Sequence, residues 1–417
     1  MINPNTQERE LAYVVLIDDI EPITGSDNCE CAVVGGWHIM VRKNQFNKGD
    51  PAIYFEIDSK VPSTNPAFDF LEKRNYKVKT QKYTFGGKGN FVSQGLLMHP
   101  ADFGWEKVFD EENNQFYIWD GKDCHYLDNE SRFVTKLLGV TYADDEDNKR
   151  KAKKIDPNAK YMSMKARHKK FFSHPWVKKM MKHNWFRDLC FVFLGKKKDK
   201  KGGWPSHIAA KTDVERIQNM IWLLKDKQPY VATEKVDGSS FSAMAERGKF
   251  NKIKYYVCSR NVVFETPDSP CFYDSNIYFE AWNKYNLKEI ITNILNDYNL
   301  PNIAIQAEVY GDGVQKRDYS LSNGKHQMAV FHIVSNGIKF PMDKTVEICE
   351  KYGLPHVPIV DDNYIFPDTI EELQEYVESE QSYIDGKPRE GIVFYDKETG
   401  QQYVKFVSPN FLMKYHN

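Results

Sequence analysis

The chain has 417 residues and a mass of 48.7 kDa. With 41% hydrophobic and 28% charged residues, that is the make-up of about two to three folded domains and not of a disordered chain. No apolar run approaches the ~18 residues that cross a bilayer, and MINPNTQERE lacks a signal-peptide pattern, so neither insertion nor secretion is expected and a cytoplasmic protein is the expectation. A net charge of −1 conceals a split: positions 149–201 hold 19 Lys and Arg against three Asp, a balance of +16 that leaves −17 for the rest. Such a block favours a polyanionic partner; the alternative is a solvated linker.

Along the first 130 residues, AYVVLIDDIEPI, AVVGGWHIMV, DPAIYFEID and KVKTQKYTF are β-branched or aromatic runs between Gly, Asn, Asp and Pro turns. Their spacing predicts a small all-β barrel, and an OB-fold is one way to close it. TFGGKGNF lacks the G-K-[ST] ending of a phosphate loop and reads as a hairpin tip. Cys29 and Cys31 sit two apart on a predicted strand and read as core. The seven cysteines contain no C-x-x-C pair and the eleven histidines no H-E-x-x-H, so reduced thiols are expected, and neither a structural zinc nor a His-based metal site.

Residues 131–204 shift to basic helices ending in a KKKDKKGG linker. Trp176 and Trp185 there read as helix core or, alternatively, as stacking platforms. VERIQNMIWLLKD predicts a helix with Asp213 as N-cap and Val214, Ile217, Ile221 and Leu224 on its apolar face. Residues 205–417 alternate strands with a few helices, an α+β domain of antiparallel sheets.

Chemistry concentrates in that last domain. YVATEKVDGSSFSAMAE places Lys235 at a strand end before an Asp237-Gly238 turn and a return strand. Lysine there is placed for nucleophilic attack if its amine is neutral, and the missing glycine side chain would let a phosphate approach; alone, the pattern equally describes a hairpin with an exposed lysine. An ordered set follows. Arg260 ends one strand, Glu308 lies on the polar face of NIAIQAEVYG, and Phe331 falls mid-strand in MAVFHIV. PREGIVFYDKETGQQYVKFV reads as a hairpin; pairing Tyr395 with Gln402 would set Lys405 opposite Ile392, on the face of Glu390.

KVDGSS, SRN, AEVYG, AVFHIV, EGIV and YVKF resemble the nucleotidyltransferase motifs of covalent DNA ligases, RNA ligases and mRNA-capping enzymes, over roughly 230–408. Within that superfamily the chain looks most like ATP-dependent RNA ligases with an N-terminal OB-fold module. The AAKTDVERIQN segment, GDGVQ and the N-terminal GWHIMV and VSQGLL runs favour that branch, and only nine residues follow Ser408, whereas DNA ligases and capping enzymes place an OB-fold there.

The resemblance implies a Lys235 nucleophile that takes AMP from ATP. It implies Glu234 near the adenine, Arg260 on ribose or phosphate, Glu308 on a ribose hydroxyl, and Phe331 stacked on the base. Glu390 with Asp237 would orient Mg²⁺ or Mn²⁺, and Lys405 would bind the α-phosphate. Arg216 and Gln218 would face phosphates or, alternatively, be a solvated helix face. The expected substrate is RNA with 3′-OH and 5′-phosphate ends, handled by a monomer away from membranes. Two departures stand out: Tyr403 replaces the first lysine of a K-x-K pair, leaving Lys405 alone or helped by Lys414, and His332 replaces the acid of an F-D pair. Rival readings are a DNA ligase, a capping guanylyltransferase, or a non-catalytic RNA-binding protein on the same scaffold.

Overall fold

The computed structural model describes residues 1–3, 8–119, 124–126, 132–143, 169–181, 183, 186, 203–269, 271–273, 275–401 and 403–416. Trp185, Cys190 and most of the basic block lie outside them. Short helices span Lys169–Ser173 and Pro175–Met180. Trp176 is no core residue: it is 56% exposed, edge-on to Phe171 and Phe186. No described helix is long and apolar enough to cross a membrane.

The N-terminal strands form as their alternation demands. Ala12–Leu16 pairs with Pro51–Phe55, which pairs with Leu96–Met98. Asp19–Pro22, Cys29–Val34 and Trp37–Arg42 make a second antiparallel set, and Thr80–Thr84 turns through the glycine-rich tip into Asn90–Gln94. Ala32, Val34, Trp37, Ile39 and Val41 share a core with Tyr13, Val15 and Tyr54, the apolar half of each strand. Cys31 is the exception. It is buried, but on the opposite face from that core.

Residues 214–224 do not form the predicted helix. Glu215–Arg216 is a short strand parallel to Tyr403–Val407, and 3₁₀ turns follow at Ile217–Asn219 and Ile221–Leu224. Two docking contacts outweigh the helical spacing. Gly36 N–H donates to the Gln218 carbonyl at 2.8 Å, and a side chain at Gly36 would meet Gln218 Cα at 2.8 Å, so the hairpin tip seats on the turn only as glycine. Trp37 Nε1 donates to Asn219 Oδ1 at 2.6 Å. Beside it, fully buried Glu56 accepts from Arg9 Nε and Nη2 at 3.1 and 2.8 Å, Tyr13 Oη at 3.1 Å, Asn219 Nδ2 at 3.0 Å, and the Met1 ammonium.

Two sheets build the C-terminal half. The five-stranded one runs Glu215–Arg216, Tyr403–Val407, Gly391–Asp396, Tyr230–Lys235, Ile359–Tyr364; the six-stranded one runs Val263–Phe264, Ile253–Ser259, Ser239–Arg247, Asn302–Gly311, His326–Ser335, Ile338–Lys339. Helices Ile277–Lys284, Leu287–Asp297 and Met342–Tyr352 cover the outer face of the second through Ile291, Ile294 and Ile348. Helix Ile370–Ser379 covers the first through Leu373 and Val377. The inner faces of the two sheets meet, and the candidate site lies between them.

Candidate active site

Lys235 ends its strand, and Val236–Gly238 is not a hairpin turn. The strand before it pairs within the five-stranded sheet and the strand after it within the six-stranded one, so the chain changes sheets here. Gly238 is required by that crossing: a Cβ would lie 2.4 Å from the Val309 carbonyl oxygen and 2.9 Å from Glu308 Cγ. The space next to it is filled by a strand and is not free for a phosphate. The crossing brings Lys235 of one sheet against Glu308 of the other.

Lys235 Nζ lies 2.7 and 2.8 Å from the two oxygens of buried Glu390. Burial pulls the ammonium down, but Glu390, then Glu308 and Asp237, more than reverse this, so it stays above the ordinary lysine range and is charged at rest. Glu308 makes no hydrogen bond among the described residues. Burial pushes it up to about 8, with Lys235 opposing and Glu390 and Asp237 adding. Asp237 Oδ2 is buried without a partner, its backbone N–H donates to Tyr319 Oη at 2.7 Å, and His416 Nε2 lies 3.7 Å from Oδ1. An all-oxygen set with an unpartnered buried oxygen fits a hard divalent cation.

Cations oppose these acids. Tyr395 pairs with Tyr403, one residue off the expected register, so Lys405 sits opposite Val393 and shares its face with Lys235. Lys405 has no partner among the described residues. Burial, and the charges of Arg9, Arg216 and Lys235, hold it well below the ordinary lysine range. Arg216, directly beside Lys405 in the parallel pair, is 3% exposed. It binds Asp58 through Nη2 at 3.1 Å and leaves Nε and Nη1 unpartnered. It is no solvated helix residue, and neither is Gln218, buried beneath Gly36. Arg260 is paired with Asp213. Glu234 points to the far face of its strand, where Ser382 Oγ and Tyr383 N–H donate to its carboxylate. Lys414 lies on the short helix Pro409–Tyr415, beyond the site strands.

Phe331 is the extra residue of a β-bulge, since Gln306 pairs with His332 and Ala307 with Val330. A bulge re-aims the side chain it adds, and the ring sits half-buried beside Val236, Tyr310 and Val357. The two departures from the motifs are neighbours. His332 lies 5.1 Å from the Tyr403 ring and 5.4 Å from Tyr395, and the two tyrosines stack at 5.6 Å. An aromatic stack stands where the motif's acid and lysine would be. Burial holds His332 well below the ordinary histidine range, so it is neutral.

The sequence offered no signal for His416, which follows every motif, or for the Asn219–Glu56 junction. It also hid a group on the barrel's outer face, where Glu21, Cys31 and His38 converge; the residues come from three strands and form no linear motif.

Residues 228–416 match the RNA ligase family model, and residues 11–99 match an OB-fold domain model. No curated protein matches the chain. Among solved structures, Naegleria gruberi RNA ligase with PPi is 23% identical, covering 98% of this chain and 99% of that one at a TM-score of 0.65. A lysine mutant of that ligase with AMP and Mn is 22% identical, with 98% and 99% coverage and a TM-score of 0.65; another with ATP and Mn reaches 0.64 at 22% identity, covering 97% and 98%. These likenesses show a shared fold over both domains. Residues 228–416 thus match the RNA ligase family model, and the part of the chain that matches an OB-fold domain precedes them.

Proposed function

We propose that the chain joins RNA 3′-OH and 5′-phosphate ends with ATP, through AMP held on Lys235 and then on the RNA 5′ end. The observation that supports this most is the sheet crossing, which sets Lys235 among Glu390, Glu308 and Asp237 with the partnerless Lys405 on the same face. The solved relatives with ATP and Mn or AMP and Mn support ATP and a divalent cation as its needs.

In this reading the neutral Lys235 amine attacks the α-phosphorus; the N–P bond forms as the bond to the β-phosphate oxygen breaks, and pyrophosphate leaves. At rest Glu390 keeps the lysine charged, so the ammonium gives up its proton to solvent before the amine attacks. Mg²⁺ or Mn²⁺ on Glu390 and Asp237 would neutralise phosphate charge and draw the carboxylate off the lysine. Lys405, held well below the ordinary lysine range by burial and then by Arg9, Arg216 and Lys235, binds the α-phosphate and meets charge where it develops. Arg216, with two unpartnered N–H groups facing the same strand, holds further phosphate oxygens. Phe331 stacks on the adenine, Glu308 accepts from a ribose hydroxyl, Arg260 contacts ribose or phosphate, and Glu234 lies behind the base. The RNA 5′-phosphate then displaces Lys235, and a 3′-OH displaces AMP. The protein acts as a monomer in the cytoplasm.

The test is incubation with α-labelled ATP and Mg²⁺ or Mn²⁺, wild type against Lys235→Ala, on a denaturing gel. We expect label on the wild type alone, discharged by 5′-phosphorylated RNA. Label from GTP, or discharge only by DNA, would move the chain to the capping or DNA ligase chemistry; no label with either nucleotide would leave an RNA-binding scaffold.

A further inference from the structure

The outer face of the barrel's hairpin sheet holds donors far from the ligase chemistry. Glu21 lies directly opposite Cys31, and His38 lies opposite Val33, two residues along from Cys31 on the same face. Such diagonal neighbours are within reach of long side chains, and one donor atom from each of the three lies within 4.8 Å of the others. Cys31 is 2% exposed although it faces away from the barrel core. Facing it from the other domain is the first turn of helix Ile370–Ser379, where Glu371 Oε1 lies 3.4 Å from His38 Nε2. The polar side of that helix lines an open groove through Glu371, Gln374 and Glu375.

We propose that Cys31, His38, Glu21 and Glu371 bind one zinc-class divalent cation that ties the OB-fold barrel to the ligase domain. The donor set decides the metal. Sulfur and imidazole nitrogen with two carboxylates suit tetrahedral zinc, whereas Mg²⁺ and Mn²⁺ prefer the all-oxygen cluster at Lys235. Bonds of about 2.0–2.3 Å put tetrahedral ligands roughly 3.3–3.8 Å apart, so the observed spacing closes by side-chain rotation. Without an ion the arrangement has little to hold it. The thiol is pushed up to about 12, by burial first and then by Glu21, and a half-exposed His–Glu pair contributes little. A bound cation displaces the thiol proton and satisfies both carboxylates.

The experiment uses the full chain, stripped with chelator, and Co²⁺ as the probe. We expect one equivalent of Co²⁺ to give a thiolate charge-transfer band and intense tetrahedral visible bands, bleached by equimolar Zn²⁺. The charge-transfer band should vanish in Cys31→Ser, and in His38→Ala cobalt affinity should fall at least about 100-fold. Glu390→Ala should keep the full spectrum, which separates this site from the ligase centre. Zn²⁺ should raise the Tm of the wild type and leave that of Cys31→Ser unmoved; unchanged lysyl-AMP labelling of Cys31→Ser would show that it folds. Absence of a charge-transfer band in the wild type, or its persistence in Cys31→Ser, overturns the proposal. So does a Glu371→Gln variant with wild-type affinity, for the part that joins the domains.

Discussion

Two buried glutamates, Glu56 and Glu308, have opposite surroundings. Both lose water, which raises a carboxyl, yet Glu56 is held far below the ordinary carboxylate range because the Met1 ammonium and Arg9 overcome burial. Glu308 is left near 8, with Lys235 too little compensation for burial and for Glu390 and Asp237. The Glu56 cluster is saturated: Oε1 accepts from Met1, Tyr13 and, across the domains, Asn219, and Oε2 from two nitrogens of Arg9. Beside Glu308 lies Asp237, one oxygen of which is buried without a partner, and Arg216, next to Lys405, leaves Nε and Nη1 without partners among the described residues. A junction that only holds the molecule together completes its hydrogen bonds, whereas a site built for a charged ligand leaves them open.

The sharpest way to break this contrast is Glu390→Ala. If the proposed reaction holds, lysyl-AMP formation should fall by at least about 100-fold, while thermal melting moves little. Next is Glu56→Ala, which strands Arg9 in the interior and should lower stability by about 3–5 kcal/mol by urea titration. A depressed carboxyl stabilises above its unfolded pKa and loses that contribution as pH falls, so the deficit against wild type should shrink below roughly pH 4. Glu308→Gln should do the reverse. Its raised carboxyl penalises the fold progressively from roughly pH 4 to about 8. The variant should therefore melt higher than wild type at pH 8 and equal it near pH 4, even as it loses activity. The smallest effect concerns the aromatic stack. His332→Asp and Tyr403→Lys should each destabilise, and the double variant should recover about 0.5–3 kcal/mol of their sum in a double-mutant cycle.

Much of this was legible in the sequence because strands announce themselves by alternation, and Lys235, Glu308, Phe331, Glu390 and Lys405 each fall where a strand ends or turns its polar face. What the sequence concealed was set by contacts between distant segments. The hairpin register slipped by one because the turn is wider than it reads: Asp396 accepts from Thr399 N–H at 2.7 Å, and Gly400, at φ +65°, donates back to the Asp396 carbonyl at 2.9 Å. Residues 214–224 have helical spacing but are shared between two domains, and docking against Gly36 and Trp37 overrides the local preference. Cys31 and His38 look unrelated seven residues apart, since only the hairpin makes them neighbours.

The core of the OB-fold barrel includes Val407 and Leu412, residues that follow the last ligase motif. The first hundred residues and the last eleven thus complete one hydrophobic interior, and Arg216 and Asn219 are stitched in beside it. A module hung on a linker can swing aside to admit a long substrate; this one would have to tear its own core to do so. The two domains are therefore held in one fixed arrangement, and the C-terminal domain cut free would lose the barrel against which Val407 and Leu412 pack.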